Sequence, residues 1–140
     1  HKLDPRWGQS RTFTGKVENL SDGRFTYTGG QWEGLETEMG PSAVLAIGAA
    51  RVLITSRATY DWNDEQFQAL GLDARAFKFV VAKNPMNYRL AYGDMARDII
   101  ILDTPGPTPA TLRHVQFNQL QRPYFPADPE IPGLQPTILK

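Results

Sequence analysis

FKFVVAKNPMNYRLAYGDMARDIIILDT, residues 77–104, is the stretch that decides the predicted fold. Residues 77–82 and 99–102 are short, continuous apolar runs, which is the pattern of strands buried on both faces. Between them Asn84 is a favoured helix N-cap, Pro85 falls at the first helical position, and apolar side chains then recur at helical spacing. This order predicts a β-α-β unit.

We place that unit near residues 76–103. Because a right-handed crossover brings the carboxyl ends of two parallel strands to one sheet edge, Lys83 and Asn84 are expected beside Asp103 and Thr104. Lys83, the helix N-terminus after Asn84, and Arg89 form a candidate binding site for a carboxylate or phosphate. The alternative is ordinary helix capping, with a surface ion pair to an acidic neighbour.

The segments before residue 76 are predicted to be rich in β-strands. Residues 11–20 and 24–28 flank Ser21-Asp22-Gly23, a strong hairpin-turn signal, and residues 43–47 and 51–56 flank a second turn. Residues 63–71 carry the signals of a short helix. The predicted fold class is therefore mixed α/β (α+β), a β-rich single domain with N-terminal hairpins and the β-α-β unit.

The C-terminal segment is rich in proline. Prolines at every third position, the period of polyproline II, predict an extended arm; they are Pro123, Pro126, Pro129 and Pro132. The arm either binds a partner or packs on its own or a neighbouring domain. We divide the chain into a domain at residues 1–128 and a proline-rich tail at 129–140.

Composition restricts the function classes. The chain has 140 residues, 15 basic and 15 acidic side chains, and a formal net charge of zero, so we expect neither a nucleic-acid nor a membrane partner. It has no cysteine and only two histidines, which leaves no thiolate zinc site and no HExxH motif. We therefore predict no metal site and no catalytic residue in this chain. A cytoplasmic location is favoured.

Five blocks in order carry a resemblance to a known family. They are HKLDP, VENLSDGRF, GPSAVLAIGAARVLITSRA, FQALGLDARAFKFVVAKNPMNYRLAYG and ILDTPGPT. The chain resembles the C-terminal domain of the MlrC (microcystin degradation protein C) family, zinc metallopeptidase-like hydrolases. The resemblance implies a two-domain parent whose zinc is held by an N-terminal domain, and it implies that the present chain begins inside the C-terminal domain.

The resemblance also marks candidate site residues. The family pattern Lys-Ser-x-x-His-Phe-Arg stands here as residues 83–89, with Asn84 in place of Ser and Asn87 in place of His. Because an amide does not titrate near neutral pH, a role that needs an imidazole at position 87 is not expected. The family match further implies that four residues line a substrate cleft, namely Ser56, Arg57, Asp103 and Thr104.

Two functions follow from these observations. In the first, the chain is the non-metal part of an MlrC-like zinc metallopeptidase or amide hydrolase, and it shapes the cleft for a small peptide-like substrate. Its partner is then the N-terminal catalytic domain of the same polypeptide, and the isolated chain is expected to be inactive and to self-associate as a homo-oligomer. In the second, it is a stand-alone binding module without catalytic activity.

Overall fold

The computed structural model describes residues 10–84, 86–104, 111, 115, 117–125, 128, 130 and 133. The chain divides into two compact units. One is Arg11–Ile99, and the other combines His1–Ser10 with Ile100–Lys140. The helices and strands of the described residues all lie in the first unit. None of the helices in the part of the chain that the structure describes could span a lipid bilayer.

The described part of the fold is mixed but rich in strands, with five strands in two antiparallel sheets and two short helices. The elements in chain order are β1 (Lys16–Ser21), β2 (Arg24–Thr26), β3 (Glu36–Glu38), β4 (Ser42–Ile47), β5 (Ala50–Thr55), α1 (Glu65–Gln68) and α2 (Tyr88–Tyr92). One sheet has the order β1-β4-β5, and the other pairs β2 with β3.

The predicted hairpin of residues 43–56 is confirmed. β4 and β5 pair from Ser42 opposite Thr55 to Ile47 opposite Ala50, so a two-residue turn joins them. Gly48 begins this turn with a φ of +58°, a left-handed conformation that glycine adopts without a steric penalty. Local sequence signals therefore suffice to place this hairpin.

The predicted hairpin between β1 and β2 is wrong. The turn itself forms, because the Ser21 hydroxyl and the Asp22 carboxylate accept hydrogen bonds from the N–H groups of Gly23 and Arg24. It carries the chain from one sheet to the other, since β1 pairs with β4 and β2 pairs with β3. Tight-turn chemistry fixes the reversal of the chain, whereas the choice of strand partner depends on contacts distant in sequence.

The core lies between the larger sheet, the β2–β3 pair and α1. Met39, Val44 and Leu70 are each at most 1% exposed and pack together. Four partly buried apolar residues surround them: Phe25, Leu53, Ala69 and Leu72. α1 is held in place at its C-terminal end, where Gly71 at φ +74° allows the Leu72 N–H to reach the Phe67 carbonyl 2.9 Å away.

The structure does not confirm the β-α-β unit. Residues 77–82 and 99–102 lie outside any strand, and most of their apolar side chains are exposed, including Phe79 at 75% and Ile100 at 75%. The helix between them, α2, has five residues instead of starting directly after Asn84. An apolar run becomes a strand only when another strand accepts its backbone hydrogen bonds, and the described residues supply none here.

The predicted proline arm falls largely outside the described residues, since Pro126, Pro129 and Pro132 are not among them. The division into residues 1–128 and 129–140 stays a prediction.

Candidate functional site

Asn84 anchors the turn that precedes α2. Its side chain is 7% exposed, and its Nδ2 donates to the Asp61 carbonyl 2.9 Å away. Its Oδ1 accepts from the Asn87 N–H at 2.7 Å and from the Met86 N–H at 3.3 Å. The two N–H groups expected to face an anion are therefore already bonded within this turn, whereas α2 itself begins later, at Tyr88, after its own N-cap Asn87.

Asn87 stands where the family pattern has histidine. Its Nδ2 donates to the Tyr60 hydroxyl at 3.0 Å. Together with the bond from Asn84 to Asp61, this contact ties the turn before α2 to the segment between β5 and α1. A hydrogen-bond donor at position 87 thus has a structural use that does not require a titrating group.

Glu65 is the most highly connected buried acid of this region. It is 3% exposed, and its Oε1 accepts from both the N–H and the hydroxyl of Thr28, at 2.8 and 2.9 Å. Its Oε2 accepts from the Asn63 N–H at 3.0 Å. The first residue of α1 therefore fastens the helix to the loop that follows β2.

An aromatic cluster packs beside this acid. Its rings meet edge to face or tilted, with centroids 5.4 Å apart for Tyr27 and Trp32, 5.3 Å for Trp32 and Tyr60, and 5.1 Å for Tyr60 and Trp62. Gly30, at φ +75°, lies so close to Trp62 that a Cβ there would come within 2.2 Å of the indole. These rings are packed against each other, so the cluster holds the loops in position.

The acids of this region do not form a metal site. The described residues contain no group of three or more His, Cys, Asp or Glu suited to a metal ion. Both Glu65 oxygens are occupied, and Asp64 Oδ1 accepts from Gln68 Nε2 at 2.7 Å, which leaves Asp64 Oδ2 as the one oxygen of these two carboxylates without a described partner. One free carboxylate oxygen does not provide the three or four ligands of a zinc centre.

Burial raises the pKa of several titrating groups here, among them Asp61 and Tyr92. It raises the pKa of Asp61, and the nearby Glu65 charge adds to the rise. Burial, together with the charges of Asp61, Asp64 and Glu65, raises the pKa of Tyr92 to about 12. Both effects arise because partly buried negative charges are poorly solvated and repel each other.

We therefore expect Tyr92 to make the chain less stable at high pH. Since the folded-state pKa exceeds the unfolded value of about 10, the tyrosine's stabilising effect is complete below pH 10 and is lost as the pH rises toward 12. Tyr92 is partly exposed, so solvent screening should keep this loss near 1 kcal/mol. Denaturant unfolding at several pH values measures it, and Tyr92→Phe should flatten the curve. An unchanged alkaline slope in that variant would contradict the assignment.

Lys83 and Arg89, the two basic residues of the predicted anion site, are exposed. Lys83 has no described side-chain partner, and the Arg89 guanidinium lies 5.3 Å from the centroid of the Tyr88 ring. Whether Lys83 and Arg89 converge on one anion stays a prediction.

Ser56 and Arg57 directly follow β5, and their contacts differ from those of the turn before α2. The Ser56 hydroxyl donates to the Pro41 carbonyl at 2.5 Å, and the Arg57 side chain pairs with Glu38. The Arg57 N–H also donates to the Met39 carbonyl at 2.8 Å. Both residues thus fasten the end of the hairpin to the segment between β3 and β4, and among the described residues their hydrogen-bond partners are Glu38, Met39 and Pro41.

Asp103 and Thr104 belong to the second compact unit. Asp103 Oδ2 accepts from the Thr111 hydroxyl at 2.8 Å, and Thr104 is exposed. The expected proximity of these residues to Lys83 and Asn84 stays a prediction.

Sequence reasoning missed the residues that hold this region together, Tyr60, Asp61 and Glu65. The available signal was the segment YDWNDE, residues 60–65, which places two aromatic and three acidic side chains in the connection between a strand and a helix. Because Tyr and Trp side chains bury large areas, a connection that holds both is expected to be packed itself.

Residues 1–119 match the profile of the family described as MlrC C-terminus. The chain belongs to this family. It is also similar to the crystal structure of a protein from Mesorhizobium sp. BNC1 that is described as a metallopeptidase, with 34% sequence identity and a TM-score of 0.64. The similarity covers 80% of this chain and 22% of that one, so the present chain spans about a fifth of the length of that protein. None of the curated proteins matches it. The sequence-based resemblance to the MlrC family is confirmed.

Proposed function

We propose that this chain is the C-terminal, non-metal part of an MlrC-like zinc metallopeptidase or amide hydrolase, and that it helps to shape the substrate cleft of an N-terminal catalytic domain. The observation that carries the proposal is the pair of matches, one to the MlrC C-terminus family and one to a metallopeptidase of which this chain covers 22%. The substrate class is a small peptide-like molecule.

The zinc ligands of such an enzyme are assigned to the catalytic domain. The acids at the start of α1 support this assignment, because three of the four carboxylate oxygens of Asp64 and Glu65 accept hydrogen bonds within the fold. The described part of this chain then contributes shape and charge to the substrate cleft.

We propose that the apolar runs at residues 77–82 and 99–102 are strands whose partners lie elsewhere in the longer polypeptide. Paired in this way, they would form the predicted β-α-β unit. The support is that, within the described part of the chain, the backbone of residues 78–83 makes no hydrogen bond, although Val81 is a strong strand former and 82% exposed. Unpaired strand backbone is a template for another strand.

In this arrangement Lys83 and Arg89 would lie at the carboxyl end of a strand and hold a carboxylate of the substrate. Asn84 would fix the backbone between them, as its contacts with Asp61 and Asn87 already do. Ser56, Arg57, Asp103 and Thr104 are proposed as further lining of the cleft.

Replacing Arg89 by alanine in the intact enzyme tests this role. A charge-assisted hydrogen bond contributes about 1.5–3 kcal/mol, so kcat/KM should fall at least about 10-fold while stability changes little. The loss should appear in KM if the carboxylate is bound equally in the ground and transition states, and in kcat if it is held only in the transition state. Lys83→Ala is expected to lower kcat/KM to a similar extent.

Arg24→Ala is the matched control, because Arg24 is exposed and pairs only with its neighbour Asp22 among the described residues. Unchanged kinetic constants in both Lys83→Ala and Arg89→Ala would mean that these two side chains do not bind the substrate, and would contradict the proposed anion site.

The second candidate is a stand-alone interaction module. The exposed apolar residues of the two runs favour it, since a separate protein could also cover them. The complete reading frame separates the two candidates: a domain rich in acidic and histidine metal ligands supports the metallopeptidase, and its absence supports the module.

A further inference from the structure

The outer face of the β1-β4-β5 sheet is apolar. In register, Val17, Leu45 and Val52 form one row across the three strands, and Leu20, Ala43 and Ile54 form the next. A bulge between Val17 and Asn19 brings Leu20 to the same face as Val17. No charged or polar side chain stands in either row.

The opposite face of the same sheet already has its partner. Val44 and Leu53 point to the core that contains Met39 and Leu70, and Asn19 Nδ2 donates to the Leu70 carbonyl at 2.8 Å. The outer face is uncovered by comparison, since Leu20 is 73% exposed, Val17 51%, Ile54 49% and Val52 41%. An antiparallel sheet with one solvated face normally carries polar side chains there, so this face has the composition of a buried one.

The size of the face indicates what covers it. Three strands of about six residues span roughly 14 by 20 Å, about 300 Å². A stable interface between separate molecules needs about 800 Å² from each partner, so two copies meeting through this face alone would be held weakly. A surface of the same polypeptide needs less area, because the covalent link gives it a millimolar effective concentration.

We propose that the outer face of the β1-β4-β5 sheet packs against an apolar surface of the metallopeptidase part of the same polypeptide. This inference rests on the proposed function for the identity of the occupant, and the chain's 22% share of the similar metallopeptidase leaves ample polypeptide to provide it. The contact is separate from the strands at residues 77–82, and it would orient this chain relative to the catalytic domain.

A cysteine probe tests the proposal, since the chain has no cysteine of its own. Val52→Cys is prepared in the 140-residue chain and in the polypeptide that the complete reading frame encodes, and alkylation by iodoacetamide is followed by mass spectrometry of the peptide. The thiol should react at least about 30-fold more slowly in the longer polypeptide, because alkylation needs an accessible thiolate. Ile54→Cys repeats the test if the first variant folds poorly.

Glu33→Cys is the control, because Glu33 is exposed and lies outside this sheet, and its rate should change less than about 3-fold. Equal rates for Val52→Cys in both forms would overturn the proposal. Protection that grows with the concentration of the 140-residue chain would also overturn it, since the occupant would then be a second copy.

Metal-dependent peptide hydrolysis by the unsubstituted longer polypeptide is measured alongside. Hydrolysis, together with an unprotected thiol in the Val52→Cys variant, rejects this interface and leaves the proposed function standing. Protection without hydrolysis supports the interface and rejects the proposed function.

Discussion

Replacing Glu65 by alanine is expected to lower the free energy of unfolding by about 3 kcal/mol. The loss is large because Glu65 is buried and accepts three hydrogen bonds, two from Thr28 and one from the Asn63 N–H. Without the carboxylate, the partly buried N–H groups of Thr28 and Asn63 lose their acceptor, and leaving a buried donor unpaired costs about 1–3 kcal/mol. Urea unfolding followed by tryptophan fluorescence gives the difference directly.

Glu65→Gln is the matched variant. The amide keeps one oxygen for the Thr28 donors but presents an NH₂ group to the Asn63 N–H, so its loss should be about half that of alanine. If Glu65→Ala unfolds at the same urea concentration as the unsubstituted chain, Glu65 does not anchor α1 as described.

Replacing Leu70 by alanine should cost about 3–4 kcal/mol. Leu70 is 1% exposed and packs with Met39 and Val44, so truncation removes apolar contacts and leaves a cavity that the sheet cannot fill by collapsing. Thermal unfolding measures the effect as a lower Tm.

Leu90→Ala provides the comparison for Leu70→Ala, because Leu90 is 59% exposed on α2 and alanine is the better helix former. Its change should stay below about 0.5 kcal/mol. Equal losses in the two variants would contradict the position of the core.

The parts of the fold that depend on neighbouring residues were predictable. The β4–β5 hairpin and the glycine end of α1 follow from Gly48 and Gly71, each of which adopts a left-handed conformation at a chain reversal. The Ser21-Asp22-Gly23 turn was equally recognisable. Its strands were assigned to each other because adjacent strands often pair, whereas β1 pairs with β4, which begins about twenty residues after β1 ends.

Of the candidate site, only the contacts between residues close in sequence could be predicted. Asn84 was expected to bond the N–H groups that follow it, and its side chain does so, but the helix that it was expected to cap begins only at Tyr88. Its partner Asp61 lies 23 residues away, and the contact of Glu65 with Thr28 spans 37 residues. Such contacts depend on tertiary packing, which no periodicity in a single sequence encodes.

The runs at residues 77–82 and 99–102 show a different limit. Their composition is that of buried strands, yet a strand also requires a partner for its backbone, and composition cannot say on which part of a polypeptide that partner lies. Their exposure here is consistent with the proposal that the partner is contributed from elsewhere.

Zinc content tests the central claim most directly, namely that this chain is the non-metal part of a metallopeptidase. The 140-residue chain and the polypeptide encoded by the complete reading frame are dialysed under the same conditions and measured by elemental analysis. We predict at most about 0.1 zinc per 140-residue chain and about one or more per longer polypeptide, because a tightly held zinc needs three or four protein ligands. One zinc retained by each 140-residue chain would contradict the account.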